Sequence, residues 1–328
     1  MTARADVNII TQLGIEVTPG TSVATTVKFP SVDIDFHPEH VKQFYRGAGQ
    51  RFNTIGVMNK NWATGSYKGP INYTELAYIF SSYGTYATPA TVGTGGKGWT
   101  FSPALSADDT IKTYTLERGD ANDAAKISNV VFNSAKFDIT RDALTVSGDL
   151  LGKGFSFGNT LTVGNTFIAN QPVSGNDVSI YLDSASGSLG STKITDGFHV
   201  SIDLPKKYDM KWVIDSALSS WSDIVPMYMT PKLSLEAEAN SQMRTLYNTL
   251  KADNVGNYFF RATGIGDNIG AGADYTWRFS AALQLTAAKE NRKGNGDVYA
   301  YNFDFEIMGD TTWGKAWELY LVNTLASL

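Results

Sequence analysis

Residues 275–286 read Tyr275-Thr276-Trp277-Arg278-Phe279-Ser280-Ala281-Ala282-Leu283-Gln284-Leu285-Thr286. Tyr275, Trp277, Phe279, Ala281, Leu283 and Leu285 share one face; Thr276, Arg278, Ser280, Gln284 and Thr286 share the other. Successive side chains of a strand point to opposite sides, so this period of two predicts a long strand with one dry face. Tyr299, Tyr301, Phe303, Phe305 and Ile307 repeat the pattern against Ala300, Asn302, Asp304 and Glu306. Lys293-Gly294-Asn295-Gly296-Asp297 between them supplies turn chemistry, and the whole predicts an antiparallel hairpin. Val130 to Ile139 and Leu144 to Leu150, joined through Thr140-Arg141-Asp142-Ala143, make a shorter version of it.

Working outward, the second hairpin is one sign of an internal repeat. Ser31-Val32-Asp33-Ile34-Asp35-Phe36 matches His199-Val200-Ser201-Ile202-Asp203-Leu204 at an offset of 168. Leu76, Ile79, Phe80 and Tyr83 follow helical spacing, with Asn72 as cap, Glu75 three residues on and Gly84 as stop. Met243, Leu246, Tyr247 and Leu250 repeat that spacing at an offset of 167, behind Asn240 or Ser241. Beyond the helices the offset falls to about 145: Tyr114 to Arg118 answers Phe259 to Thr263, while Ala135, Phe137 and Ile139 answer Ala281, Leu283 and Leu285. The difference isolates about twenty extra residues in the first copy, Ala87 to Asp109, a Gly, Thr, Pro and Ser stretch that reads as a loop.

The expected fold is therefore mainly β: two tandem antiparallel sandwich or barrel domains, each with one flanking helix. The expected organisation is an extended arm over residues 1–28, a first domain over 29–155 with its loop insertion at 87–109, a linker over 156–176, and a second domain over 177–328.

Composition excludes several functions. There is no cysteine among 328 residues, which removes thiolate metal sites, disulfides and cysteine catalysis. A net charge of -5 with scattered Lys and Arg argues against a surface that neutralises nucleic-acid phosphates. Lys289, Arg292 and Lys293 form the nearest thing to a basic patch and read as a solvated turn. The N-terminal residues contain no signal-like apolar run, and no stretch is long enough for a membrane helix, so the expected site of synthesis is the cytoplasm.

No constellation specifies catalysis, a cofactor or a metal. Gly93-Thr94-Gly95-Gly96-Lys97-Gly98 satisfies the dinucleotide-binding spacing, but Trp99-Thr100-Phe101-Ser102-Pro103 follows it and cannot open the helix that spacing requires. His37 and His40 flank Pro38, which blocks a shared helical face, and His199 stands at the equivalent strand of the other copy. Asp33 with Asp35, and Asp304 with Glu306, read as polar strand faces. Trp313, Ala316, Trp317, Leu319, Tyr320 and Leu321 are richer in large apolar groups than a surface tail and read as core closure or an assembly contact.

Gly14-Ile15-Glu16-Val17-Thr18-Pro19-Gly20-Thr21, Pro30 before a strand, and Gly65 and Gly69 before the short helix form one pattern. Asp177 to Asp183 and Trp313-Gly314-Lys315-Ala316-Trp317 before Asn323 form another. Together they resemble the tail tube proteins of long-tailed bacteriophages, the siphophages, over nearly the whole chain. The resemblance implies a non-enzymatic virion protein, assembled in the host cytoplasm, whose rings stack into the tail tube through which DNA is ejected. With two tube domains per chain, three chains complete a six-domain ring, a hexamer being the alternative. Implied partners are further copies of the chain, a tape-measure protein, and tail terminator and tip proteins, with DNA passing unbound and no membrane involved. By position, residues 1–28 and the loop 87–109 would link neighbouring rings, and an acidic lumen would keep DNA from sticking. An outer-membrane β-barrel and a phage carbohydrate-binding protein are the alternative readings of the same aromatic strands.

Overall fold

A computed structural model describes residues 9–251, 256–292 and 298–328. The first unit contains β1 (Ile10–Ile15), β2 (Val27–Lys28), β3 (Asp33–Tyr45), β4 (Ile55–Pro70), α1 (Glu75–Tyr83), β5 (Thr85–Tyr86), β6 (Ala90–Val92) and β7 (Gly96–Ser102). It continues with β8 (Tyr114–Gly119), β9 (Ala124–Phe132), β10 (Ala135–Thr140), β11 (Leu144–Gly152), β12 (Gly154–Asn159) and β13 (Thr166–Phe167). The second contains β14 (Val178–Asp183), β15 (Lys193–Ile194), β16 (Gly197–Leu204), β17 (Tyr208–Lys211), β18 (Asp223–Pro226), β19 (Lys232–Glu238) and α2 (Ser241–Lys251). It closes with β20 (Asn257–Gly270), β21 (Ala273–Asn291), β22 (Ala300–Ile307) and β23 (Trp317–Asn323). The chain is mainly β, with two short α-helices among the described residues.

The repeat is written in the strand order. Hydrogen bonding runs β3-β4-β11-β10 in the first unit and β16-β19-β22-β21 in the second, antiparallel throughout. A second layer runs β2-β1-β8-β9-β12 and β15-β14-β20-β21-β23. Register carries the offsets: Ile10 lies opposite Gly119 and Val178 opposite Gly264, so 168 on one strand goes with 145 on its partner. Residues 10–28 thus belong to the repeat, and the expectation of a free arm fails there because β1 pairs on both edges; residues 1–8 lie outside the described residues. One alignment also slips. β9 and β10, parted by Asn133 and Ser134, correspond together to the single strand β21, so the counterpart of β10 is the part of β21 that pairs with β22, beyond the 281–285 match.

The two units are not separate bodies. β10 pairs with β16 from Ala135 opposite Leu204 to Thr140 opposite His199, which fuses the two four-stranded sheets into one of eight. A single hydrophobic core runs through both units. Between the layers, Tyr67 meets the edge of Phe132 at 5.2 Å, and Phe137 packs on Trp277 and Phe279 at 5.9 Å.

Helix α1 is buried on every side, not on one face, because both units close over it. Asn72 caps it, accepting the amides of Thr74 and Glu75 at 2.9 and 3.3 Å. Helix α2, capped by Asn240 through the Met243 amide at 2.9 Å, buries Met243 and Leu246. The Ala87 to Asp109 stretch is not a free loop. It contains β6 and β7, and β7 adds to the edge of β23 with Trp99 opposite Leu321, so the insertion staples the first unit to the second. Residues 156–176 likewise lie down on the first unit: β13 runs parallel to β2, and the Thr162 amide donates to Glu117 at 2.9 Å.

Two buried carboxylates organise the first unit. Glu16, in the Gly14 to Thr21 motif, accepts the Gly20 and Asn129 amides at 2.8 Å and the Thr113 and Thr115 hydroxyls at 2.9 Å. Asn129 adopts φ 51°, a left-handed conformation that Asn tolerates and that turns its amide toward Glu16. Glu75 opens α1 and accepts the Ser31 amide at 3.0 Å, the Val32 amide at 3.2 Å and the Ser31 hydroxyl, which ties the helix to the start of β3. Burial pushes the Glu75 carboxyl above its ordinary value, the Ser31 and Val32 bonds offsetting only part of it.

A raised value means the folded chain holds this proton more tightly than the unfolded one, so Glu75 costs stability above its folded value and is relieved as pH falls toward the ordinary 4.5. Glu75→Gln, which keeps an acceptor for both amides, is expected to leave stability at pH 7 unchanged or higher. Glu75→Ala, which strands them, should cost about 1–3 kcal/mol. In urea titrations the gap between wild type and Glu75→Gln should narrow from pH 7 to pH 5; equal losses for the two variants would contradict this account.

Candidate assembly surfaces

The eight-stranded sheet has one dry and one wet face. Val32, Ile34, Phe36, Phe137, Val200, Ile202, Leu233, Leu235, Phe303 and Phe305 point into the core. The alternate positions carry Asp33, Asp35, Asp138, Asp149, Asp203, Glu236, Glu238, Asp304 and Glu306 against Lys68, Lys136, Lys232 and Lys289, so carboxylates exceed lysines nine to four on the wet face. Several are held by neighbours: Lys136 lies 3.2 Å from Asp138 along β10, Lys206 3.4 Å from Asp149, and the Ser234 hydroxyl donates across strands to Asp304 at 2.8 Å. Asp138 is held below the ordinary carboxylate value: burial pushes it up, but the Ser201 and Lys136 hydrogen bonds and the nearby Lys136 charge outweigh burial.

The sheet ends on two open edges. Among the described residues β3 pairs only with β4, although its counterpart β16 pairs on both sides. Among the described residues, Thr286 to Glu290 of β21 pair only with β22, although their counterpart β10 has β16 on its other side. An open edge presents unpaired amide and carbonyl groups to a further strand. The two edges differ in charge. Asp33 and Asp35 stand on β3, with Arg118 3.6 and 3.2 Å away, whereas Lys289 and Arg292 stand exposed at the end of β21. Nothing in composition joins Lys289 and Arg292 to an edge, since a solvated turn and an edge look alike; Lys293 lies outside the described residues.

Beyond the sheet, β3 and β4 continue as a long hairpin. Phe44, Tyr45, Phe52, Ile55, Val57 and Met58 are exposed along it. Between residues 40 and 62 it carries Lys42, Arg46, Arg51 and Lys60 and no carboxylate, in a chain whose net charge is -5. The corresponding hairpin of the second unit, β17–β18, leaves the sheet after Leu204-Pro205 and leans on the first, with Trp212 5.7 Å from Trp62 and the Trp221 indole donating to the Gly152 carbonyl at 3.2 Å.

The remaining sequence candidates are structural. Gly93 and Gly95, at φ 51° and 85°, form the β6–β7 turn, and no helix follows. His37 lies 3.1 Å from Glu39, and among the described residues no cluster of His, Asp and Glu could hold a metal ion. Trp317, Leu319 and Leu321 are fully buried, which favours core closure over contact with a partner, while Trp313 stays partly exposed. Among the described residues no helix is long and apolar enough to cross a membrane, which leaves strand-crossing barrels aside. No protein-family model matches the chain, and no curated protein matches its sequence.

Proposed function

We propose that this chain is a structural virion protein that pairs edge to edge into rings, which stack as the tail tube of a long-tailed bacteriophage and conduct DNA during ejection. The observation that carries the reading is the seam between β10 and β16. It is a working example, inside one chain, of how one unit joins the next, and it leaves the same two edges open at the ends of the chain. Placing β21 of one copy against β3 of the next repeats the seam, brings Lys289 and Arg292 toward Asp33 and Asp35, and closes after three chains if six units fill a ring. A hexamer of chains is the alternative closure. The wet face then turns to the lumen, where surplus carboxylates repel phosphates over a Debye length of about 8 Å at physiological salt. The basic, apolar β3–β4 hairpin leaves one end of the sheet and would reach the next ring in the head-to-tail manner that builds filaments. Tape-measure, terminator and tip proteins are the further partners this role requires.

The absence of cysteine makes the test clean. Carrying the seam register over the repeat brings Asp33 of one copy opposite Lys289 of another and Asp35 opposite Ala287, the latter pair within reach of a disulfide. Asp35→Cys combined with Ala287→Cys, oxidised after purification, should give a non-reducing ladder that ends at three chains, and negative-stain images should show rings or tubes. A ladder reaching six would select the hexamer. Monomers in both assays would defeat the proposal.

A further inference from the structure

A cavity of about 400 Å³ opens at the seam, where the end of β10 meets β15 and β16. Lys193 and His199 line it from the second unit and Arg141 from the turn after β10, which the seam brings beside them, and Asn176 and Ser179 add an amide and a hydroxyl. No carboxylate lines it. Of the carboxylates around it, Asp138 is engaged by Lys136 at 3.2 Å and His199 at 3.5 Å, and Asp196 accepts the Thr195 hydroxyl at 3.1 Å and the Asn240 amide at 2.9 Å.

The cavity walls rest on glycine. A Cβ on Gly175 would lie 2.2 Å from the Arg141 carbonyl oxygen, so any other residue there would push the walls apart, and one on Gly197 would lie 2.4 Å from the end of the Ile180 side chain, which would have to turn away. The close pass at Gly175 also fixes the guanidinium, whose Nη1 donates to the Gly175 carbonyl at 3.1 Å and leaves its other donors free.

We propose that this cavity binds a small molecule through a phosphate monoester. A planar guanidinium fork matches phosphate oxygens, an ammonium group adds a point charge, and the amide and hydroxyl suit the remaining lone pairs of a tetrahedral dianion. The volume lies near the lower end of the range for small-molecule sites, roughly 300–1,000 Å³, enough for a sugar or nucleoside body beside the phosphate. The proposal does not depend on ring assembly, since every residue in it belongs to one chain.

Isothermal titration of the full chain at fixed low ionic strength would use inorganic phosphate, adenosine monophosphate and adenosine as probes. The monophosphate should bind saturably, inorganic phosphate more weakly and adenosine not at all. Arg141→Gln with Lys193→Gln, both exposed positions, should weaken the monophosphate at least about tenfold, the scale of one or two lost charge-assisted bonds. Lys232→Gln, an equally exposed lysine on the wet face, should leave binding unchanged. Absence of saturable binding, equal binding of adenosine, or equal losses for the paired and the Lys232 variants would each overturn the assignment, the last by showing general surface charge.

Discussion

Lys207→Met is expected to destabilise the chain by about 3–5 kcal/mol, because it leaves a buried charge without its partner. The Lys207 ammonium is 3% exposed and pairs with Asp109, itself 7% exposed. It also donates to the Tyr83 carbonyl at 2.6 Å, at the end of α1, and lies 5.4 Å from the rings of Tyr83 and Tyr208. Asp109 in turn accepts the Thr85 hydroxyl at 2.6 Å and the Ala104 amide at 2.9 Å. One ion pair therefore gathers the end of α1, both ends of the insertion and the segment leaving β16. A methionine fills the space of the lysine stem and offers Asp109 nothing, so urea unfolding should show the loss directly; a change below about 1 kcal/mol would contradict it. Asp109→Asn added to Lys207→Met should recover part of the loss by removing the stranded charge.

The same pair sets an acid limit. Burial pushes Asp109 up, but the Lys207 and Thr85 hydrogen bonds and the Lys207 charge together hold it below the ordinary carboxylate value of 3.8. A depressed folded value gives stability that is present above the unfolded value and is lost as pH falls through the folded one. Wild type should lose this contribution below about pH 4, and Lys207→Met should lack it at every pH.

Some of this architecture is written in the sequence and some is not, for identifiable reasons. The strands β21 and β22 show because each has one dry face over many residues, and alternation survives any choice of partner. Asn72 and Asn240 show because a cap acts on amides two or three residues away. The insertion misled because Gly, Thr, Ser and Pro make up about half of it, although Trp99 and Phe101 alternate and are buried, which is the signal of a strand. The β10–β16 seam has no such signal. Backbone bonds carry no residue type, and Lys136 opposite Asp203 is one of many plausible charge pairs until the register is known. Glu16 and Lys207 were missed for a related reason: their partners are distant in sequence, and a single charged residue looks alike whether solvated or buried.

The seam also makes the two units a single cooperative structure, and Phe80 is where that can be measured. Its side chain is fully buried between the units. It stacks on Phe137 of the seam strand at 5.6 Å, meets the edge of Trp317 from the second unit at 5.9 Å, and touches Tyr83 and Phe101. Phe80→Ala removes the ring from a site whose walls belong to both sheets and to α1, so the cavity cannot close by moving one element. The expected loss is about 3–5 kcal/mol, the range for deleting a buried phenylalanine. Phe80→Leu, which fills most of the space, should cost markedly less. Wild type should unfold in one transition, with tryptophan fluorescence and far-ultraviolet circular dichroism coincident in urea. If the units were joined only by a tether, Phe80→Ala would weaken the first and leave the second unfolding at its original midpoint. The shared sheet and the β7–β23 staple predict the opposite: both probes move together, because neither half keeps a complete edge once the other has opened.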